Sequence, residues 1–176
     1  IMREEHPDLS ITLSSALGRI GLLERENVAL LNAALADLAT ATVSALEDAI
    51  ADSGITAPLF VTQNDGTVAS IAAARQAPVY GFASGPTNSM RGAAFLSGLD
   101  DAMVLDIGGT TSDIGCLVNG FPREANNVVE TGGVRTNFRM PDLLSIGIGG
   151  GTIVDLDTLA VGPQSVGHRL TETAIV

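Results

Sequence analysis

Apolar residues recur three or four positions apart along residues 24–52, which is the spacing of one face of an α-helix. The glycine at position 54 predicts the end of this helix. Before it, Leu9–Leu13 alternates between apolar and polar residues and predicts a short strand. We interpret the long segment as a packing helix, with a predicted buried row of Val28, Leu31, Leu35, Leu38, Thr42, Leu46 and Ile50.

Beyond residue 57 the pattern changes to short apolar runs separated by turn residues. Asn64-Asp65-Gly66 predicts a turn, and Pro86, close behind Ser84, is typical of a first helical turn. The predicted elements are a strand at 58–63, a helical turn at 70–75, a strand at 78–83 and a helix at 87–99.

Strands dominate the remaining sequence, in which Asn119-Gly120 is a strong hairpin signal. Together with the preceding helices they predict an α/β fold with a mixed sheet and flanking helices. The predicted strands are 103–107, 112–118, 126–131, two strands around the glycine turn within 143–156, and shorter segments at 159–161 and 166–170. Residues 1–57 would form an N-terminal strand and long helix, and residues 58–176 a sheet-containing part.

Composition and charge narrow the class of function. Of the 176 residues 45% are hydrophobic, enough for one compact domain or two small lobes. The net charge of -11 argues against a nucleic-acid or anionic membrane partner, because proteins that bind those surfaces need clustered basic residues. A nucleotide remains possible, since main-chain N–H groups and a metal can hold phosphates.

The terminal segments and the cysteine content bear on cellular context. The single cysteine, Cys116, excludes an intrachain disulfide, is expected to be a buried thiol, and fits a reducing, cytoplasmic compartment. No signal-peptide pattern and no uninterrupted run of about 18 apolar residues is visible. The first residue is not methionine and the last three are Ala174-Ile175-Val176, so we expect a piece of a longer polypeptide.

Glycines, hydroxyls and carboxylates interrupt the apolar strands between Met103 and Val118. A tight turn with glycine at its tip leaves N–H groups unpaired, and such a nest binds phosphate oxygens. A carboxylate at the end of the first strand can hold Mg²⁺, and the second can orient a water molecule. The candidate residues are Asp106, Gly108, Gly109, Thr110, Thr111 and Asp113.

Other interpretations of these turns stay open. The first turn could be a hairpin that happens to contain Gly-Gly, and it has neither the lysine of a P-loop nor a following helix. The glycine-rich stretch 147–151 is a second candidate nest, or a bulge. Arg135 and Arg139 could bind a carboxylate or phosphate, and His168 could face a substrate.

The stretch LDIGGTTSDIG resembles the second phosphate motif of the actin-like ATPase superfamily, and SGPTNSMRGAAFLSGL resembles the connecting helix that precedes it. The closer resemblance is to the hydantoinase/oxoprolinase family, also called hydantoin utilization protein A. Its motifs occur here in the family's order, over about residues 4–170. They are EEHPDLSITLSS, LLERENVALLNAAL, TQNDGTVAS, SGPTNSMRGA, LDIGGTTSDIG, SIGIGGG and VGPQSVG.

This resemblance implies an actin-like, ribonuclease H-like fold and an ATP-dependent hydrolase subunit that opens a cyclic amide of the hydantoin or 5-oxoproline type. ATP and Mg²⁺ would be the cofactors, and the amide oxygen would be phosphorylated. By motif position Asp106 would hold the metal, Asp113 would assist, and a hydantoinase B-type subunit or domain would be the partner. The phosphate-binding residues would be Gly108, Gly109, Thr110 and Thr111, with Gly149 and Gly150 lining the cleft.

The sequence also departs from the family's pattern. Gly85 stands where related chaperone ATPases have an acidic residue, so no general base is assigned there. The first phosphate motif is not in this chain, and HRLTETAIV replaces the usual Gly-Pro-Ala-Cys stretch. Two alternatives therefore stay open, a non-catalytic nucleotide-binding or sensor module and a component of an ATP-dependent ketone carboxylase. We expect the 176-residue chain alone to bind nucleotide weakly and to be inactive.

Overall fold

The computed structural model describes residues 2–6 and 9–173. It divides into two compact units, which do not follow the predicted division at residue 57. Unit 1 contains Ile1–Thr87 and Glu124–Pro141, and unit 2 contains Asn88–Arg123 and Asp142–Val176.

Unit 1 is built around one long helix. Its helices are α1 (Met2–Glu5), α2 (Leu23–Asp52) and α3 (Ile71–Gln76), with short 3-10 helices at Ser14–Ala16 and Pro78–Gly81. Two antiparallel strand pairs complete it, β1 (Phe60–Thr62) with β2 (Val68–Ser70) and β6 (Val129–Thr131) with β7 (Val134–Thr136). Its core contains Leu17, Val28, Val79 and Phe138.

The buried face of α2 differs from the predicted row. Val28, Asn32 and Val43 are its buried residues, whereas Leu38 and Leu46 are 65% and 42% exposed. Asn32 is buried because its amide donates to Gln76 O (3.1 Å) and accepts from Val79 N (3.3 Å). By length and composition alone α2 could cross a membrane. This is only weak evidence for a membrane-spanning helix, because long packing helices pass the same test.

Two predicted strands of unit 1 are wrong. Residues 9–13 are irregular, and residues 78–81 form a 3-10 helix that starts with Pro78. The backbone groups of residues 79 and 80 bond to Asn32 and Asn64 rather than to a strand, since Asn64 N donates to Tyr80 O (2.7 Å) and Asn64 Nδ2 to Val79 O (3.0 Å).

Unit 2 contains the larger sheet. Helix α4 (Ser84–Ser97), whose first four residues belong to unit 1, is followed by β3 (Ala102–Ile107), β4 (Ser112–Val118) and β5 (Phe121–Pro122). Strand β4 pairs with β3 along one edge, and with β5 and β8 (Leu143–Ile146) along the other. A separate pair joins β9 (Thr152–Asp155) to β10 (Ala160–Ser165), before a 3-10 helix (Gly167–Arg169) and α5 (Leu170–Thr173).

The α/β class is confirmed, but the mixed sheet is not. Every pair of named strands in the described residues is antiparallel, and five of the six pairs join strands that are connected directly by a short turn or loop. The predicted hairpin at Asn119-Gly120 is confirmed. The strand predicted at 126–131 is shorter and pairs with β7.

One face of the larger sheet packs on α4. Met90 and Ala94 of the helix form a cluster with Leu117, and Ala102, Val104 and Leu143 surround it. Gly115 permits this approach, since a Cβ there would lie 2.8 Å from Met90 Cε. Asp106 and Asp113 lie on this same face of the sheet, at the end of the strand pair next to residues 108–111.

Candidate functional site

The strand–turn–strand predicted around residue 108 is present in unit 2. Strands β3 and β4 pair in register from Ala102↔Leu117 to Ile107↔Ser112. The turn between them closes with a hydrogen bond from Gly108 N to Thr111 O (2.9 Å). All four turn residues, 108–111, are exposed.

A second glycine turn, at 147–151, lies against the first one. Gly150 N donates to Gly108 O (2.9 Å), and Gly151 N donates to Gly109 O (2.7 Å). Thr152 closes the second turn, since Gly149 N donates to its Oγ1 (2.7 Å). The two stretches that the sequence predicted separately are therefore joined by main-chain hydrogen bonds.

Glycine is required at position 149 by this close approach. A Cβ there would lie 2.6 Å from Gly108 O and 2.8 Å from Thr110 N, which are backbone atoms that cannot rotate away. A Cβ on Gly151 would lie 2.9 Å from Gly109 O. Gly109 itself faces open space, since a Cβ there would have nothing within 4 Å, so a ligand can approach its backbone.

The hydrogen bonds from the second turn are accepted by carbonyl groups of the first turn, and of the N–H groups of the first turn that of Gly108 donates within the turn. Gly109 O also accepts from Ser165 Oγ (3.3 Å). Within residues 9–173, neither Gly109 N nor Thr110 N donates to a protein acceptor. The N–H groups of Gly109 and Thr110 thus have no hydrogen-bond partner, in a turn whose residues are exposed and which the second glycine turn contacts. Unpaired main-chain N–H groups at such a turn can bind phosphate oxygens.

Two carboxylates accompany these donors. Asp106 and Asp113 are directly opposite each other in the β3–β4 pair, and Ser145, opposite Asp113 in β8, donates its hydroxyl to Asp113 Oδ1. Carboxylate and hydroxyl oxygens suit Mg²⁺, which usually binds one or two carboxylates and completes its shell with water and phosphate. No group of three His, Cys, Asp or Glu side chains in the described part could hold a metal by itself.

An apolar cavity adjoins the second turn. Its volume is about 550 Å³, and Gly150 and Gly151 line it together with Ile153, Val154 and Leu156. The cavity continues to α5 through Leu170.

Two arginines outside the glycine turns have structural partners. Arg91 donates to Gly120 O and stacks over the Phe121 ring at 4.0 Å. Arg135 pairs with Glu24 at 3.3 Å. His168 is exposed in the 3-10 helix, and Cys116 is a partly buried free thiol.

A cluster of ionisable groups in unit 1 was not predicted. Arg139 Nη1 donates to Asp65 Oδ2 (3.0 Å), and Thr67 donates to Asp65 Oδ1 through its N–H (3.0 Å) and hydroxyl (2.6 Å). Burial opposes ionisation, but the hydrogen bonds from Thr67 and Arg139 outweigh it and lower the pKa of Asp65. Burial raises the pKa of Tyr80, whose hydroxyl donates to Leu17 O. From the sequence Arg139 was a candidate for binding a carboxylate, which Asp65 supplies here, and the only local signal for Asp65 was the predicted turn at Asn64-Asp65-Gly66.

An exposed main-chain nest beside paired carboxylates defines a candidate phosphate- and metal-binding protein. Comparison with known families gives a more specific class than this site does, because the family model for hydantoinase/oxoprolinase matches residues 25–173. The chain belongs to this family, as the order of its motifs predicted.

Curated relatives extend well beyond this chain. An uncharacterized protein of Methanocaldococcus jannaschii is 29% identical over 161 residues, which are 82% of this chain and 24% of the relative. The gamma subunit of acetophenone carboxylase of Aromatoleum aromaticum is 27% identical over 180 residues, covering 95% of this chain and 24% of that subunit. The chain therefore spans about a quarter of the length of the curated relatives it matches.

Two solved structures have a similar fold. The ATP-dependent caprolactamase of Pseudomonas jessenii superposes with a TM-score of 0.70 at 23% identity, over 96% of this chain and 25% of the enzyme chain. Nucleotide-free acetone carboxylase, an enzyme of ATP-dependent acetone carboxylation, gives 0.63 at 23% identity, over 89% and 23%.

Proposed function

We propose that this chain is the nucleotide-binding part of an ATP-dependent enzyme that opens a cyclic amide through a phosphorylated intermediate. The observation that carries the proposal is the pairing of the two glycine turns, which leaves Gly109 N and Thr110 N free at an exposed tip. The actin-like ATPase fold, inferred from the motif around Asp106, is part of the same proposal.

The chain's own groups suit Mg²⁺ and a triphosphate. The two N–H donors would bind phosphate oxygens, and Thr110 and Thr111 would add hydroxyl donors. Asp106 would hold the metal directly or through water, and Asp113, fixed by Ser145, would orient a water molecule. The apolar cavity beside Gly150 has room for a flat base.

Bound Mg²⁺ and ATP would supply an activated phosphoryl group and the positive charge that stabilises its transfer. Transfer of the terminal phosphoryl group to the amide oxygen, with release of ADP, would make the amide carbon electrophilic. Water would then add to that carbon, the ring C–N bond would break with protonation of the nitrogen, and hydrolysis of the resulting acyl phosphate by a second water would release phosphate. The protein's contribution is fixed donors, aimed before the reaction at the position where negative charge accumulates. The supporting turn 149–151 keeps those donors in place.

Known relatives favour two reactions. The caprolactamase supports amide opening, and the acetophenone carboxylase subunit, at 27% identity, supports a ketone carboxylase component as the second candidate. Both reactions begin with a carbonyl oxygen that can accept a phosphoryl group. The relative named as a gamma subunit also supports our proposal that a second subunit or domain completes the enzyme.

The test is an assay of the complete protein with its partner subunit, ATP and Mg²⁺. Hydantoin, 5-oxoproline and caprolactam would be offered without bicarbonate, and acetone and acetophenone with it, while ADP release is measured. ADP release that requires a cyclic amide supports the first candidate, and release that requires a ketone and bicarbonate supports the second. ATP binding without release under any condition would favour a non-catalytic module, and failure to bind ATP would overturn the proposal.

A further inference from the structure

Each carbonyl group that the second glycine turn holds belongs to the same peptide group as an unpaired N–H of the first turn. Gly108 O, which accepts from Gly150 N (2.9 Å), shares a peptide plane with Gly109 N. Gly109 O, which accepts from Gly151 N (2.7 Å), shares one with Thr110 N. In trans peptides, as these are, the C=O and N–H bonds point in opposite directions. Both unpaired N–H groups therefore point away from the second turn.

A side chain from outside the two turns holds the second of these peptide groups. Ser165 Oγ donates to Gly109 O (3.3 Å), so this carbonyl oxygen accepts two hydrogen bonds. The serine oxygen also accepts from Gly167 N (3.1 Å). A hydroxyl has only one hydrogen, and here that hydrogen is directed at Gly109 O. Rotation of the peptide between Gly109 and Thr110 would break both bonds to its carbonyl oxygen.

The path of β10 explains why a serine reaches the first turn. The register of β10 against β9 shifts between Val161 and Ser165, a stretch that contains Gly162 at a φ of 65°. Such shifts re-aim side chains in antiparallel sheets. Just beyond β10, Val166 N donates to Gly151 O (2.8 Å) and ties the end of the strand to the second turn. The main chain next to Ser165 is therefore fixed against the glycine turns.

The bonds to Gly109 O also strengthen the donor at the other side of the peptide. Hydrogen bonds accepted by a carbonyl polarise its peptide group, which makes the N–H of that group a better donor. The gain is larger for an ionised acceptor, because charge-assisted hydrogen bonds are stronger than neutral ones. A phosphate oxygen bound to Thr110 N would thus be stabilised by the Ser165 hydroxyl from the far side of the peptide.

We propose that Ser165 is a positioning residue of the phosphate site, whose hydroxyl fixes and polarises the Gly109–Thr110 peptide so that Thr110 N donates to a phosphate oxygen of ATP. This inference rests on the proposed function, because it takes the first turn to be the phosphate site. Ser165 acts only through the peptide and touches neither the nucleotide nor the reacting atoms. Loss of its hydroxyl should weaken the binding of phosphates and leave the binding of the nucleoside unchanged.

The test is calorimetry of the complete protein with Mg²⁺ and three probes, which are ATP, tripolyphosphate and adenosine. Ser165→Ala removes the hydroxyl donor, and Ser165→Thr retains a hydroxyl. Ser165→Cys keeps a side chain of similar shape with a weaker donor, and it takes the place of the alanine variant if that variant does not fold. The matched control is Ser97→Ala, at an exposed serine of α4 whose hydroxyl accepts from Leu99 N (3.2 Å). Circular dichroism and thermal unfolding establish which variants fold.

We expect Ser165→Ala to weaken the binding of ATP and of tripolyphosphate about tenfold, the usual effect of one weakened hydrogen bond to a charged group. Adenosine affinity should not change, since adenosine has no phosphate. Ser165→Thr should restore the affinity for both phosphate probes. Ser165→Cys should show a smaller loss in the same direction, and Ser97→Ala should show none. A serine that only stabilises the fold would change the affinity for all three probes together, or for none.

Three results would overturn the inference. The folded variant without the hydroxyl could bind tripolyphosphate as the natural protein does, its adenosine affinity could fall as far as its tripolyphosphate affinity, or a folded Ser165→Thr protein could bind tripolyphosphate as weakly as Ser165→Ala.

The same titrations separate this inference from the proposed function. A natural protein that binds neither ATP nor tripolyphosphate would refute the proposed function and this inference with it. A natural protein that binds both, with affinities that do not depend on the Ser165 hydroxyl, would refute the inference alone.

Discussion

Asp106 and Asp113 are directly opposite each other across the antiparallel pair of β3 and β4. Side chains at such positions share one face of the sheet, with Cβ atoms about 4.5–5.5 Å apart. Two like charges at this distance destabilise a sheet unless a cation or donor offsets them. Ser145 supplies one donor to Asp113, and the remaining repulsion is what a divalent cation would relieve.

Asp106→Asn should therefore have opposite effects on the stability of the protein and on its affinity for ATP. We expect it to leave the free energy of unfolding unchanged or to raise it by up to about 1 kcal/mol, because one of two opposed charges is removed. Magnesium-dependent ATP affinity should fall about tenfold or more, as a charged ligand oxygen is lost. Calorimetry and denaturant unfolding of the complete protein measure both quantities.

The control for that variant is Asp37→Asn, which removes the same charge from an exposed position of α2. It should alter neither ATP affinity nor stability beyond about 0.5 kcal/mol. An unchanged ATP affinity in Asp106→Asn would remove Asp106 from the proposed metal site.

Gly149→Ala tests the contact between the two glycine turns. The added methyl would lie 2.6 Å from Gly108 O, so the turns must move apart and lose the bond from Gly150 N. We expect a loss of about 1–3 kcal/mol in stability, as for other overpacked sites, and weaker ATP binding.

Gly147→Ala is the matched control in the same turn, since nothing lies within 4 Å of its added methyl. Its effect on stability should stay within about 0.5 kcal/mol. Equal unfolding midpoints for the two alanine variants would show that the close approach at Gly149 does not exist in solution.

Local signals explain what the sequence predicted correctly. The turn between β3 and β4 follows from adjacent glycines between apolar runs, and the end of α2 follows from its period and Gly54. Family membership followed from the order of several modest motifs. These features depend on residues that are close in the chain.

Long-range pairing explains what the sequence did not predict. The contact of Gly149 with Gly108 joins backbone atoms, and backbone contacts leave no side-chain pattern except the glycines themselves. The buried face of α2 was misassigned because Asn32 is satisfied by residues 76 and 79, which no helical period shows. The roles of Asp106 and of the phosphate-binding turn stay predictions until ligand binding is measured.

Asn64→Ala should destabilise the protein strongly, although the side chain that it removes is polar. The substitution leaves Ala83 N without its buried acceptor and removes the donor to Val79 O. Each such loss costs about 1–3 kcal/mol, so we expect a total of about 2–4 kcal/mol by denaturant unfolding. Asn126→Ala, at an exposed asparagine, is the control and should change stability by less than about 0.5 kcal/mol. Similar losses in both variants would contradict the buried hydrogen-bond network.

Asp65 should make stability depend on pH in the acid range. Burial acts to raise its pKa, but bonds from Thr67 and the Arg139 guanidinium dominate and hold the folded-state pKa below the ordinary 3.8. A lowered folded-state pKa stabilises the folded chain above pH 3.8, and this stabilisation disappears as the pH falls through the folded-state value.

Unfolding of the natural chain and Asp65→Asn should be compared from about pH 7 to about pH 2. We expect the natural chain to be more stable at neutral pH, with a constant difference down to about pH 4 that then shrinks, because protonation removes the charge that Arg139 and Thr67 stabilise. Comparing the two proteins at each pH cancels the titration of the other carboxylates. A difference that stays constant through the whole acid range, or one that grows with acid, would mean that Arg139 does not pair with an ionised Asp65.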